Sequence, residues 1–263
     1  MTKVLKAAAA AAALATATTA SATPSTTYWT PATTYTQPFL VPHLTYDTYF
    51  AEGGQLQPDY GLTIGILPFE KVQAEVGIDV LVPGLHQDNL YLNGKVTLVE
   101  GALAEWQPGV SLGIQSVGFK KDYSDYNHLH LTVGKTFAFG TVTVGGYRGG
   151  NQVLYTSSAG KVERTGLMAS YTSPDIKLGL TGLDKIVIVG DYASGNNYFG
   201  GYGVGAGFYF TPAIALLTGP VMFNDKELMK GSYGSDFMWT FQLDVDFDLR
   251  APAAPAGQPA GSR

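Results

Sequence analysis

The sequence predicts an all-β protein, a transmembrane antiparallel up-and-down β-barrel of about 12 strands. Three observations carry that prediction. Period-two hydrophobicity recurs in short runs from Phe39 to Leu249. The links between these runs alternate between tight and long, as they do between the two ends of a membrane barrel. The N-terminus reads as an export signal, yet no later run approaches the ~18 apolar residues that a membrane helix needs, so any crossing must be made by strands. "KVQAEVGIDVLVPG" (71–84) shows the pattern. Val72, Ala74, Val76, Ile78, Val80 and Val82 share one face, and Gln73, Glu75, Gly77, Asp79 and Leu81 share the other. Alternation leaves two readings open. A soluble sandwich or barrel hides the apolar face, whereas a membrane barrel turns it to lipid and keeps the polar face for its lumen.

In chain order, residues 1–22 read as a signal peptide. Two lysines fall within Thr2–Lys6, an alanine-rich run covers 7–20, and Ala20-Ser21-Ala22 is a small-x-small cleavage pattern. Residues 23–38, "TPSTTYWTPATTYTQP", are rich in Thr and Pro and form an irregular lead-in. The barrel occupies 39–249, with strands expected at 39–50, 60–67, 71–82, 90–98, 109–118, 128–136, 140–148, 162–172, 184–191, 199–211, 213–223 and 237–249. No stretch reads as a helix. The links 67–71, 137–140 and 211–213 are tight. Those at 51–59, 120–128, 149–161 and 224–236 are long and polar and fall at the opposite end, while 99–108 and 173–183 are longer links on the tight side. An even strand count puts both termini on the periplasmic side. Residues 250–263, "RAPAAPAGQPAGSR", form a disordered Pro/Ala-rich tail.

Sidedness is argued from residues at strand ends and on the second face. Tyr60, Phe119, Tyr147, Phe223 and Trp239 fall at the long-loop end, and Phe69, Phe137, Tyr171, Phe210 and Phe247 at the other, as two interfacial belts require. Gly201, Gly203, Gly205 and Gly207 alternate with larger residues; a glycine row lines a lumen or admits a close neighbour but builds no packed core. In the last strand Trp239, Phe241, Leu243, Val245, Phe247 and Leu249 oppose Thr240, Gln242, Asp244, Asp246 and Asp248. With the signal segment and the even strand count, this aromatic-rich closing strand, "FQLDVDFDL", resembles those of Gram-negative outer-membrane β-barrel (porin-like) proteins. The likeness covers about 39–249 and is architectural. It implies an outer-membrane address, the lipid bilayer and the barrel assembly machinery as partners, and a closing strand that serves as the insertion signal. This chain continues past the final aromatic, where such proteins usually end.

Function is read from the expected lumen face, which carries Asp47, Glu75, Asp79, Lys95, Arg164, Asp244, Asp246 and Asp248. Six acids against two bases favour cations if the bore is open. If the charges pair across the interior, Lys95 with Asp79 for example, the barrel is filled and closed; twelve strands lie between the filled eight-stranded and the open sixteen-stranded cases. The expectation is a passive channel for small solutes or ions with mild cation preference, the alternative a non-enzymatic structural or partner-binding barrel with an occluded lumen. Asp244, Asp246 and Asp248 recur too widely to share a hard cation and read as solvated carboxylates. His128 and His130 share a face but make a weak metal pair, His86 belongs to no cluster, and His43 reads as structural. Neither a metal nor a cofactor is expected. Outer-membrane phospholipases are also twelve-stranded and place Ser two residues after His, followed by Asn; here "HQDN" (86–89) has an aspartate at the nucleophile position, so no enzymatic activity is expected. Glycine pairs such as Gly203 and Gly205 lack the following helix of a phosphate loop. A net charge of −5 spread along the chain excludes a nucleic-acid footprint, and the lack of cysteine excludes disulfides and thiolate chemistry.

Overall fold

The computed structural model of the protein describes residues 26–55, 58–81 and 88–250. The expected signal segment, His86 and the tail after Arg250 lie outside the described residues. Twelve strands form the wall: β1 (Pro42–Ala51), β2 (Asp59–Gly65), β3 (Val72–Leu81), β4 (Leu90–Leu98), β5 (Gly109–Val117), β6 (Asp125–Phe137), β7 (Gly140–Arg148), β8 (Thr165–Thr172), β9 (Lys185–Ala193), β10 (Gly201–Thr211), β11 (Ile214–Phe223) and β12 (Phe237–Asp246). Each pairs antiparallel with its sequence neighbour, and β12 closes on β1 from His43↔Asp246 to Phe50↔Trp239. Closure removes the unpaired edge that a sheet cannot leave in hydrocarbon. Gly54–Gln55 folds back on Phe50 and Ala51 and lengthens the first hairpin.

Three expectations need correction. Residues 39–41 are not strand; Phe39 makes an isolated bridge to Gly65, and Leu40 takes a left-handed φ of 56° that ends the lead-in. The last strand stops at Asp246. The link 224–236 contains a helix, α1 (Lys226–Tyr233), where none was expected. The helix has local causes. The Asp225 carboxylate accepts from the Leu228 amide at 3.0 Å, and Gly234 adopts φ 73° to end it, so a cap and a stop lie within ten residues.

The apolar side chains face outward. Along β12, Trp239, Phe241 and Leu243 are 44, 41 and 40% exposed, whereas Thr240, Gln242 and Asp244 are 0, 3 and 1% exposed. The same inversion holds on β3, where Val76 and Ile78 are exposed and Glu75 is buried. Tyr60, Phe119 and Trp239 at one end, and Phe69, Phe137, Tyr171, Phe210 and Phe247 at the other, are exposed rings, as the belts require. Tyr147 and Phe223, expected in the long-loop belt, are instead buried inside, where Phe223 packs edge-on against Trp29 and Tyr147 stacks on His128. The interior therefore holds apolar clusters as well as charges, and its filling comes largely from a segment that is not part of the wall.

Candidate functional site in the barrel lumen

Residues 26–41 run through the barrel as an inner strap. Its base is tied to the tight-turn rim: the Leu40 amide donates to the Gly65 carbonyl, and the Leu249 amide donates to the Leu40 carbonyl. From there it visits the wall in order. The Gln37 amide donates to Glu75 on β3 at 2.6 Å, the Thr36 hydroxyl bonds that of Thr97 on β4, and the Thr33 carbonyl accepts from Thr132 on β6. The Ser170 hydroxyl on β8 donates to the Ala32 carbonyl. On β9 a single oxygen, Asp191 Oδ2, accepts from the backbone amides of Tyr28, Trp29 and Thr30 at 3.1, 2.7 and 2.7 Å and from the Thr27 hydroxyl at 2.6 Å. Gln242 on β12 then donates to the Tyr28 carbonyl at 2.8 Å. The strap lacks regular structure, so its backbone polar groups need wall partners, and the lumen-facing Thr, Ser, Asp and Gln supply them.

The glycine row explains how the strap fits. A Cβ on Gly203 would lie 2.2 Å from Tyr28 Cδ1, one on Gly205 would lie 2.7 Å from Tyr28 Cε2, and one on Gly219 would lie 2.8 Å from the Tyr28 hydroxyl. Gly219 also has φ 152°, so it serves both conformation and clearance. Gly203 and Gly205 of the row, with Gly219 on the neighbouring strand, form a bed for one aromatic ring.

Strands β12, β1, β2, β3, β4 and β5, together with the strap's Thr26, Tyr28 and Trp29, surround a cavity of about 190 Å³. Its lining includes Asp47, Asp59, Asp79, Asp244, Lys95 and His43. Two of the bases are already engaged. Lys95 Nζ lies 3.1 Å from Glu75, both buried, and His43 lies 2.6 Å from Asp246 and 3.3 Å from Asp244. Lys95 thus pairs with Glu75, directly opposite in register, and not with Asp79, which faces Tyr91 and accepts from Asn93. Asp47 and Asp59 are direct cross-strand neighbours. Two like charges facing each other destabilise a sheet unless something offsets them.

Of the expected lumen residues, Asp47, Glu75, Asp79, Lys95 and Asp244 are therefore gathered at this cavity, with Asp246 joined to it through His43. Arg164 and Asp248 are not. Arg164 is exposed in the β7–β8 loop and donates to the Gly150 carbonyl, because β8 begins one residue later. Asp248 lies past the end of β12 at the rim and binds Arg250 through two oxygens; that guanidinium holds its carboxyl below the ordinary range. Asp59 and Asp191 were missed. The signal for Asp191 was present: it interrupts the apolar run "IVIVGDY" on the lumen phase of β9.

His128 and His130 lie inside with ring centroids 5.9 Å apart, and His128 Nδ1 is 2.7 Å from the Tyr155 hydroxyl within a cluster that includes Tyr147 and Phe199. Among the described residues no group of three His, Cys, Asp or Glu is arranged to hold a metal. Asp88, at the nucleophile position of "HQDN", accepts a hydrogen bond from Ser124.

No protein-family model and no curated protein sequence matches the chain. Among solved structures it is similar to outer membrane phospholipase A from Escherichia coli (13% identity, TM-score 0.45, 81% of this chain and 99% of that one). It is also similar to an outer membrane channel from Pseudomonas putida F1 (11%, TM-score 0.43, 81% and 97%). A third is a Rhodopseudomonas blastica porin mutant (9%, TM-score 0.36, 72% and 55%).

Proposed function

We propose that the chain is exported to the outer membrane of a Gram-negative bacterium and acts there as a narrow passive channel for small cations, its bore reduced by the inner strap. The address follows from the exposed belt of Phe241, Leu243, Val76 and their neighbours, which in water would be an aggregation surface and in lipid is the solvated face. The selectivity rests on one observation. Around the cavity, Asp47, Asp59 and Asp79 have no cationic partner among the described residues, while Lys95 and His43 are held by Glu75, Asp244 and Asp246. An excess of carboxylate in a confined bore attracts cations and repels anions. No enzymatic step is assigned, since an aspartate occupies the position where a phospholipase-like serine would stand.

A second reading, a closed structural or partner-binding barrel, is favoured by the quality of the strap's docking, with Asp191 holding three successive amides and the glycine bed fitted to Tyr28. Planar-bilayer recording separates the two. The channel reading expects small cation-selective steps from the whole protein, larger steps when residues 26–37 are deleted, and reduced cation preference in Asp47→Asn/Asp79→Asn. A silent whole protein whose strap-deleted form conducts establishes the closed barrel. Anion-selective steps indifferent to the aspartates reject the cation channel.

A further inference from the structure

Two longer links lie at the tight-turn rim, 99–108 between β4 and β5 and 173–184 between β8 and β9. A link that ends in water is ordinarily polar. These are not. Leu103 and Trp106 are 74 and 78% exposed, the two most exposed large apolar side chains among the described residues, and Leu178 and Leu180 are 54 and 57% exposed. The first link is folded and still leaves its apolar residues outside. The Gly101 amide donates to the Gln107 carbonyl at 3.0 Å, the Gln107 amide to the Ala104 carbonyl at 2.9 Å, and the Leu103 amide to the Gln107 side-chain oxygen at 3.2 Å. Gln107 is buried, so the loop turns its amide side chain inward and Leu103 and Trp106 outward.

Both links stand on the outer side of the wall. Lys135 falls on the outward phase of β6, between the exposed Val133 and Phe137. Its ammonium lies 2.8 Å from Glu100 and donates to the Glu105 carbonyl at 3.0 Å, so the first link reaches over the apolar face and masks a cation at its edge. In the second link Ile176 pairs with Ile186, and residues opposite each other in a ladder share a face. Ile186 has the phase of the exposed Ile188, whereas Val187 and Val189 are buried inside. Leu178 and Leu180 follow Ile176 at the same two-residue spacing. Between the two links lies the β6–β7 turn, where Phe137 and Phe139 stack at 5.1 Å and the Tyr171 hydroxyl of β8 donates to the Phe139 carbonyl. The apolar side chains thus follow the rim from β4 to β9 and join the outer face of the wall.

We propose that these two links are membrane-interface anchors, which insert Leu103, Trp106, Leu178 and Leu180 into the leaflet of the bilayer at the tight-turn rim. The inference rests on the outer-membrane reading above and adds a lipid contact that the strands themselves do not make. The occupant is lipid because the patch is continuous with the face that lipid solvates; a second copy of the chain would have to displace that lipid to reach it. The residue types agree. A tryptophan ring suits the headgroup level, and Lys135 and Lys177 beside the patch can lay their stems along it with their ammonium groups toward water or phosphate.

The test uses the whole chain with Trp106 as its single tryptophan, Trp29 and Trp239 being replaced by Phe, folded into phosphatidylcholine vesicles whose acyl chains are brominated near the headgroup or near the chain end. Anchoring predicts that Trp106 is quenched more by the shallow bromines than by the deep ones and is shielded from aqueous acrylamide. Because the Trp29 replacement can loosen the strap, a second readout keeps all three tryptophans. The chain has no cysteine, so Leu178→Cys and Ala159→Cys each give a single thiol, the latter in an exposed loop at the opposite end. Relative to its own unfolded chain, the thiol at 178 should react with a charged maleimide about tenfold more slowly than the one at 159, since apolar surroundings disfavour the thiolate that reacts. A Trp106 open to acrylamide and untouched by bromine, in vesicles where a single Trp239 is quenched, overturns the anchors and leaves the membrane reading standing. If Trp239 is untouched as well, both fall. Shielding of Trp106 that disappears on dilution to one barrel per vesicle identifies a second copy as the occupant and overturns the inference.

Discussion

Replacing Asp191 with alanine should release the strap. In the native protein one carboxylate oxygen accepts from three consecutive amides and the Thr27 hydroxyl, at 2.6 to 3.1 Å, inside a closed wall. Hydrogen bonds to a charged group contribute about 1.5–3 kcal/mol each. Bonds to a shared acceptor do not add, so we take the equivalent of two, or about 3–6 kcal/mol. At about 1.4 kcal/mol per tenfold, strap release becomes at least ~100-fold more favourable. The amides would also lose a partner that nothing else nearby replaces, because the strap has no ladder of its own. Asp191→Asn keeps a neutral acceptor and should lose roughly half as much. The assay is protease sensitivity of the strap in detergent-folded barrels, read as cleavage between Thr26 and Gln37 while the barrel keeps its heat-modifiable migration. An Asp191→Ala protein that folds, with a strap as protected as in the parent, would refute the clamp and the reasoning from it.

Other outcomes follow from the same geometry. Gly203→Val should evict Tyr28, since even a Cβ there lies 2.2 Å from the ring; Tyr28→Gly should relieve the clash, and strap protection in the two single variants and the double variant reports it. His43→Ala removes the base between Asp244 and Asp246 and should lower unfolding stability by about 3–5 kcal/mol, measured by urea titration in lipid vesicles. Leu243→Arg should destabilise by about 2–4 kcal/mol if its level is mid-bilayer, against little effect for a conservative apolar change. Asp225 caps α1. Burial raises its carboxyl, but the amides of Ser158 and Leu228 outweigh that and the net shift is downward. Its stabilisation is therefore complete above the ordinary carboxylate range and is lost as pH falls through the depressed folded value. Amide exchange over 226–233 should speed up on acidification, and Asp225→Ala should show the fast rate at all pH, a loss of about 1 kcal/mol.

The wall was legible in the sequence because each strand carries its own period, and a one-residue slip would put Phe241 inside and Asp244 in lipid. The strap was not, for a physical reason. Residues 26–38 have no period, since each is fixed by a different wall residue far away in sequence, such as Asp191 for Tyr28–Thr30 or Glu75 for Gln37. The glycine row was read as clearance without the ring that needs it. Lys95 was placed opposite an acid on the right strand but at the wrong level, because the period fixes which face a residue takes and not which residue it meets on the next strand. Arg164 and Asp248 keep the alternation but lie beyond the strand ends, where alternation no longer dictates direction. The helix at 226–233 was readable from Asp225 and Gly234, and its Gly231 and Ser232 obscured it.

The most direct measurement is fluorescence quenching by brominated acyl chains in vesicles, using single-tryptophan proteins made from Trp29, Trp106 and Trp239. The account predicts that Trp239, on the outer face of β12, is quenched by bromine in the chains, while Trp29, packed inside against Tyr49 and Phe223, is not. A protein that stays soluble without detergent, with Trp239 untouched by the brominated lipid, would contradict the outward orientation of the apolar face and everything built on it.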